Sequence, residues 1–280
     1  MDAAVQKVKI YSALQHGNFE LKKACPEDSY QGRETGFHSP AEGTPRNEWQ
    51  VCVIDDLVNF RVGLPDFAII VSCQVNGKTE HTVVLNPMNG DEFSASRGRG
   101  AQLNNRRLRC GQLREISQAL IGFKTPNHTE GEHVFEIRKQ ISNLMTQAND
   151  VRALGSSVLM MAYTAADRLH GAMLCDMDEF SLNAGSLIAH ESGCLTANLS
   201  GAPLIKAPAD ILVANPRLLK ELVQKVWRQH YDPQVHDNKI YVTIKRLRKM
   251  VEPDYDKPKY IFRSKQGYYL NKTIKVMMNH

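Results

Sequence analysis

The chain contains no apolar run close to the roughly 18 residues that a membrane-spanning helix requires, which excludes a helical bilayer span. Its six cysteines, at positions 25, 52, 73, 110, 175 and 194, are scattered and never spaced C-x-x-C. That spacing argues against a zinc knuckle and a disulfide framework, and for free, mostly buried thiols in a reducing compartment. The opening Met-Asp-Ala-Ala-Val-Gln-Lys has neither a secretory pattern nor an arginine-rich transit pattern, so the expected location is the cytoplasm. Three common catalytic signatures are missing as well: G-x-S-x-G, H-E-x-x-H and the Walker loop. The ten histidines are dispersed, and His170 and His190 read as ordinary surface or core residues.

What is present is the balance of a globular protein. Hydrophobic residues make up 42% and charged residues 23% of 280, enough for one large domain or two ordinary ones. The net charge of +5 is unevenly placed. Residues 236–280 carry eleven Lys or Arg against four acids, a local +7, so the first 235 residues sum to −2. A near-neutral body with a basic tail points to a polyanion as the tail's partner.

Apolar spacing predicts a helix over residues 2–24, with Val5, Ile10, Ala13 and Leu14 on one stripe. Residues 25–48, rich in Pro, Gly, Ser, Glu and Arg, read as an irregular surface segment. Strands follow: Phe67–Gln74 and Thr79–Leu85 flank Asn76-Gly77, a dipeptide suited to the positive φ angles of a tight hairpin. A second hairpin turns at Pro87-Met-Asn-Gly90 and returns through Glu92–Ser96, and Asn105 is able to take a left-handed conformation in the turn beyond. Gly98-x-Gly100 lies between strands instead of opening a helix, so it reads as a structural turn and not a nucleotide loop. Helices are then expected over His133–Gln147, Ser156–Arg168, Leu182–Glu191 and Arg217–Gln229, with strands at Ala172–Leu174 and Ile211–Ala214. Pro216 suits a first helical turn, and Leu218, Leu219, Leu222 and Val226 form the last helix's core stripe. This order of elements indicates a mixed, layered α/β domain.

The stretch Trp49-Gln-Val-Cys-Val-Ile-Asp-Asp-Leu-Val-Asn-Phe60 resembles the W-V-I-D-P-L-D-G-T-T-N-F signature of the inositol monophosphatase family, most closely its SuhB-like branch. Asn86–Asn104 is similar to the strand-turn-strand run of that branch, and Gly155-Ser156-Ser157, Asp167-Arg168 and Ala184-Gly185…Glu191-Ser-Gly193 keep the family's spacing. The resemblance covers about residues 45–230. It implies an inositol-monophosphatase-like sandwich over residues 49–230, after a shortened amino-terminal helix and irregular segment at 1–48.

In the family, clustered carboxylates hold two or three magnesium ions on a phosphate monoester. Matched to those motifs, Cys52 stands at the first aspartate, Asp55 at the second, Asp56 at the glycine, and Leu57 at the threonine that helps orient water. The later W-D-x-A-A-G motif reads Phe180-Ser-Leu-Asn-Ala-Gly185, so Ser181 holds its aspartate position, where it is expected to cap the helix. Asp55 is the one clear surviving metal ligand and Glu42 a candidate for a second, with Asp56 as an unplanned carboxylate shifted by one residue. Magnesium is a hard cation that needs oxygen ligands, so no cofactor and no phosphatase activity are expected. The alternative is a residual magnesium-dependent phosphatase of inositol phosphate or a similar monoester, with Asp176, Asp178 and Glu179 rebuilding the site. Against it, a helix advances about 100° per residue, and a shifted carboxylate usually points elsewhere. Gly155, Ser156 and Ser157 contact substrate in relatives; here they form either an anion site at a helix start or a preserved cap.

The stretch Ile240–Leu270 lies outside that resemblance. It is similar to the second half of the winged-helix DNA-binding domain of bacterial response regulators, where V-x-x-x-I-x-R-L-R-x-K enters the major groove and R-G-x-G-Y ends the wing. Only the wing's second glycine is kept, as Gly267, and Arg217–Gln229 could stand in for the domain's first helix. On this pattern residues 236–280 are a small basic winged-helix-like extension. Lys245, Arg246, Arg248, Lys249, Arg263 and Lys265 are its candidates for DNA or RNA contact. The SuhB-like branch implies work with the transcription machinery through protein contacts, as a homodimer, with Phe93 and its strands near the interface. A purely structural subunit of a larger assembly, with the tail as docking arm, is a third reading.

Overall fold

The structure is a computed structural model that describes residues 23, 25–40, 45–126, 132–202, 207–226, 260–264 and 267–270. Apart from Lys23, which is helical, the expected helix over 2–24 lies outside the described residues, as does the stretch 240–259 of the winged-helix-like tail. Eight strands form the first sheet: β1 (Ser29–Gly32), β2 (Gly36–His38), β3 (Glu48–Asp55), β4 (Ala68–Val75), β5 (Lys78–Asn86), β6 (Asp91–Ser96), β7 (Gly100–Leu103) and β8 (Arg106–Arg107). Their order is β2-β1-β3-β4-β5-β6-β7-β8, antiparallel throughout except where β1 runs parallel to β3. The hairpins form as their turn residues predict: Asn76 and Gly77 take φ of 52° and 68°, and Gly90 takes 75°. Asn105, at 64°, is left-handed as expected.

The reading of 25–48 as irregular is corrected. Two short strands lie in that segment, because Asp28 fastens it to the sheet. Its carboxylate accepts from the Asn47 amide at 3.0 Å and from Trp49 Nε1 at 2.7 Å. A family tryptophan thus holds the edge of the sheet, and the expected boundary at residue 48 falls inside a continuous sheet. Composition hid these strands, since they are only four and three residues long.

The second sheet holds β9 (Leu120–Lys124), β10 (Asp150–Arg152), β11 (Gly171–Met177), β12 (Leu195–Asn198) and β13 (Ala209–Ala214), in the order β10-β9-β11-β13-β12. Among the described helices, α1 (Leu57–Val62) leaves β3 and α2 (Glu132–Gln147) precedes β10, while α3 (Ser157–Ala165) and α4 (Glu179–Ser192) lie between the sheets. All nine residues of α3 are buried, the pattern of a helix covered on every side. Gly185 lets α4 approach it closely, since an added Cβ there would stand 2.4 Å from Met161 Sδ. The outer face of the second sheet is covered by α2 and α5 (Pro216–Glu221), whose Pro216 occupies the first turn as expected. Leu218, Leu219, Leu222 and Val226 are all buried, and the last two lie in a wider helical turn, Leu222–Val226.

Phe93 is fully buried within the chain, edge-on to Tyr163 with ring centroids 5.9 Å apart, so it packs as part of the core of this sheet. The guanidinium of Arg168 lies over both rings and pairs with Asp91, which explains why the Asp-Arg motif is kept. The six cysteines are free, four of them buried. In the tail, β14 (Ile261–Ser264) and β15 (Gly267–Leu270) pair as an antiparallel hairpin.

Candidate functional site

Strand β3 ends at Asp55, and its carboxylate is almost wholly buried. Ser156 Oγ donates to Asp55 Oδ2 at 2.5 Å, and Ser181 Oγ lies 3.1 Å from Oδ1. Burial raises the Asp55 carboxyl above its ordinary range, with the nearby Asp178 charge adding to the effect; the Ser156 hydrogen bond and the Lys124 and Arg33 charges oppose it. Cys52, earlier on the same strand, is completely buried, and burial pushes its thiol up to about 12. It stays neutral through the physiological range.

The remaining members come from two places. The β1–β2 turn supplies Arg33 and Glu34. Gly32 pairs with Val51 in the parallel ladder, and the Arg33 amide donates to Val51 O at 2.9 Å, which brings Arg33 level with Cys52. Arg33 Nη1 reaches Cys52 Sγ at 3.4 Å and Asp55 Oδ1 at 3.7 Å, while Nη2 lies 3.4 Å from Asp178 Oδ2. Glu34 accepts from the Val53 amide at 3.1 Å. The start of α4 supplies Asp178 and Ser181.

Ser181 is not the helix cap. Asp178 takes that role, accepting from the Ser181 amide at 3.1 Å, because its extended backbone (φ −74°, ψ 167°) places its carboxylate over the first turn. The Ser181 hydroxyl is thereby released toward Asp55 and Asp178.

The other candidates are dispersed. Asp56 caps α1 by accepting from the Asn59 amide at 2.8 Å, with φ of 70°, so its carboxylate serves the backbone. Leu57 is 44% exposed. Glu179 accepts from Gln50 Nε2 at 3.3 Å, and the Asp176 amide is bonded to Asp210. Glu42 lies outside the described residues. Of the carboxylates proposed to rebuild the site, Asp178 meets Asp55 through shared partners, Ser181 and Arg33. Ser156 caps α3 by accepting from the Leu159 amide at 3.2 Å, while the buried Ser157 hydroxyl has no partner among the described residues. Gly155 (φ +87°) is required by close approach: a Cβ would stand 2.2 Å from Asp56 Oδ2. The anion at this helix start is the chain's own Asp55. His170 and His190 bond to the Leu120 amide and the Thr196 hydroxyl. In the tail, Arg263 lies on β14 opposite Tyr268; Lys245, Arg246, Arg248, Lys249 and Lys265 lie outside the described residues.

A magnesium ion needs several hard oxygen ligands with free lone pairs and a net negative surround. In this pocket both Asp55 oxygens are in contact with hydroxyls, the neighbouring ligand position is a neutral thiol, and a guanidinium stands among the acids. The donor set does not fit that ion. Sequence reading missed Arg33 and Glu34; the only signal was their position between Gly32 and Gly36 in a segment of otherwise loop-like composition.

This layered α/β sandwich, with an aspartate at the end of β3 facing two helix starts, is an inositol-monophosphatase-like fold. The chain belongs to the inositol monophosphatase family, whose model matches residues 6–231, further toward the amino terminus than the motifs alone reached. A second model, "Transcriptional regulatory protein, C terminal", matches residues 217–270. The Nus factor SuhB of Pseudomonas aeruginosa is 31% identical over 216 residues, covering 77% of this chain and 79% of that protein. An inositol-1-monophosphatase of Rhizobium meliloti is 32% identical over 209 residues, 75% and 77% of the two chains. Among solved structures, the extragenic suppressor protein suhB of Bartonella henselae matches with a TM-score of 0.68 at 26% identity, over 74% of this chain and 80% of that one. Mycobacterium tuberculosis SuhB gives 0.67 at 25% identity, over 81% and 89%.

Proposed function

We propose that the protein is a non-hydrolysing member of its family that acts in transcription or its regulation through protein and nucleic-acid contacts. The observation that carries this reading is the second match at 217–270, joined to a body whose relatives include Nus factors. The Asp55 pocket supports the loss of hydrolysis: Cys52 and Ser181 stand where the family places aspartates, and Leu57 where it places a threonine. Leu57, Val58, Val62 and Leu64, between 44% and 70% exposed, give an apolar surface beside the pocket suited to a protein of the transcription machinery. On this reading the protein is cytoplasmic, works as a homodimer and needs no cofactor, and its basic tail holds DNA or RNA through Lys245, Arg246, Arg248, Lys249, Arg263 and Lys265. No described helix is long and apolar enough to cross a membrane.

The test is duplex DNA and RNA binding by the full chain across a salt series. Binding should weaken steeply with salt, and removing one phosphate-binding charge should reduce the steepness of that dependence by roughly 0.9. Arg246→Ala with Arg248→Ala should reduce both affinity and slope. If deletion of 236–280 leaves binding unchanged, the nucleic-acid reading fails and the tail is a protein-docking arm.

The match to an inositol-1-monophosphatase favours a second reading, residual magnesium-dependent hydrolysis of a phosphate monoester. Hydrolysis of inositol monophosphate that Asp55→Asn abolishes would establish it.

A further inference from the structure

The Asp55 pocket brings two carboxylates to one hydroxyl. Ser181 Oγ lies 3.1 Å from Asp55 Oδ1 and 3.0 Å from Asp178 Oδ2, yet it carries one proton and donates to one of them at a time. Two acids so placed repel unless a cation or a proton lies between them. Arg33 spans the pair, with Nη1 on the Asp55 side and Nη2 on the Asp178 side, and its Nη1 also donates to Cys52 Sγ.

Resting on the non-hydrolysing reading, we infer that the Arg33 guanidinium is the resident cation of this site, standing in for a divalent metal and making the fold independent of magnesium. Three observations converge on it. The turn is built to deliver this side chain: Gly36 takes φ of +77°, and a Cβ on Gly32 would stand 2.0 Å from Thr35 Oγ1. Glu34, the next residue, pins the turn to the backbone of β3 at Val53. The partners are those of a cation site, two carboxylates and a sulfur. Burial works against the Arg33 charge, but the Cys52 hydrogen bond and the Asp178 and Asp55 charges more than offset it. A planar guanidinium that is always charged and donates in a fork is suited to bridge two acids, and a divalent ion entering here would meet that charge. Lys124 also acts on Asp55 electrostatically, but no ion pair joins it to Asp178 among the described residues.

The experiment compares melting of the full-length protein in magnesium and in chelator. Wild type should melt at the same temperature in both. Arg33→Met should melt several degrees lower in chelator and recover part of that loss in magnesium, because the bared carboxylates then accept the metal. Arg33→Lys should fall between, keeping the charge without the fork, and Lys124→Met should show no magnesium response. Should Arg33→Met fail to fold in chelator, adding Asp178→Asn removes the unpaired charge and should restore a cooperative transition; no recovery would overturn the inference. Arg33→Met that matches wild type in chelator and ignores magnesium would also overturn it, while leaving the non-hydrolysing reading in place. A wild-type protein that magnesium itself stabilises would sink both.

Discussion

Two carboxylates in this chain are held by contrasting means. Glu191, near the end of α4, accepts from the amides of Gly98 and Gly100, each at 2.8 Å. Asp55 is held by side chains alone: two serine hydroxyls and, at the edge of contact, a guanidinium. The first arrangement depends on backbone geometry, because Gly98 and Gly100 take φ of 74° and 91°. Such a turn can be altered only by altering the fold, and the family's Gly-x-Gly and Glu are both kept. The second depends on side-chain identity, so it accepts new residues without moving a strand. A fold can therefore keep its turns and close helix approaches while the chemistry at the end of β3 is exchanged.

The largest test of the retained half is Phe93→Ala. The ring is fully buried and packed on Tyr163 and Arg168, so its loss should cost about 3–5 kcal/mol in urea unfolding. Sedimentation should show no separate change in association while the variant is folded. A dimer that dissociates at unchanged stability would place Phe93 in the interface.

Next in size is Ser156→Ala, on the exchanged half. It removes the cap of α3 and the hydrogen bond to Asp55, together about 2–3 kcal/mol. The loss should depend on pH in a fixed direction. Burial raises the folded Asp55 carboxyl above its unfolded value of 3.8, so the stability this group contributes is present below that value and is lost as pH rises through the folded one. Ser156 favours the ionised form, so the variant's penalty should grow with rising pH over the same window. A penalty independent of pH would mean that the cap alone is at work.

Gly100→Ala should cost about 1–2 kcal/mol, because a left-handed conformation is strained for any residue with a Cβ. Glu191→Gln keeps an acceptor for one of the two amides and sets an NH2 donor against the other, so it should cost a similar amount. No loss in that variant would make the turn, and not the carboxylate, the element that the fold requires.

How far the sequence discloses each half follows from the same distinction. Asn76-Gly77, Gly90, Gly98-x-Gly100 and the Leu218, Leu219, Leu222, Val226 stripe announce their structure, because backbone freedom and helical period are local properties. The layered sandwich follows from them and from the family motifs. The Asp55 pocket is legible as a set of replaced ligands, but not as a new arrangement. Arg33 lies 22 residues before Asp55 and Asp178 lies 123 after it, joined only through the β1–β3 register and the α4 start. Strands β1 and β2 are too short for a period, and what fixes them is Asp28 reaching Asn47 and Trp49 across the sheet. The motif spacing puts Ser181 at the right helix end but in the wrong role, since a cap three residues upstream fits the same spacing.

The smallest expected effect is at Asp56, where the two halves meet. Its φ of 70° suits glycine, the residue the family pattern has there, yet its carboxylate accepts from the Asn59 amide and starts α1. Replacing Asp56 by Gly relieves a left-handed side chain, a gain of about 1 kcal/mol. It loses the cap, a few tenths when glycine replaces it, and frees the unfolded chain by about 0.4–1 kcal/mol. These effects nearly cancel, so stability should stay within about 1 kcal/mol of wild type. The side chain's approach to Gly155, 2.2 Å from a built Cβ, gives the sharper measurement. Gly155→Ala should be less damaging in the Asp56→Gly background than alone, by the roughly 0.5 kcal/mol or more that marks direct contact. Additive losses would mean that Gly155 is fixed by its own φ of +87° and by Asn59, and that Asp56 sits in the turn without shaping it.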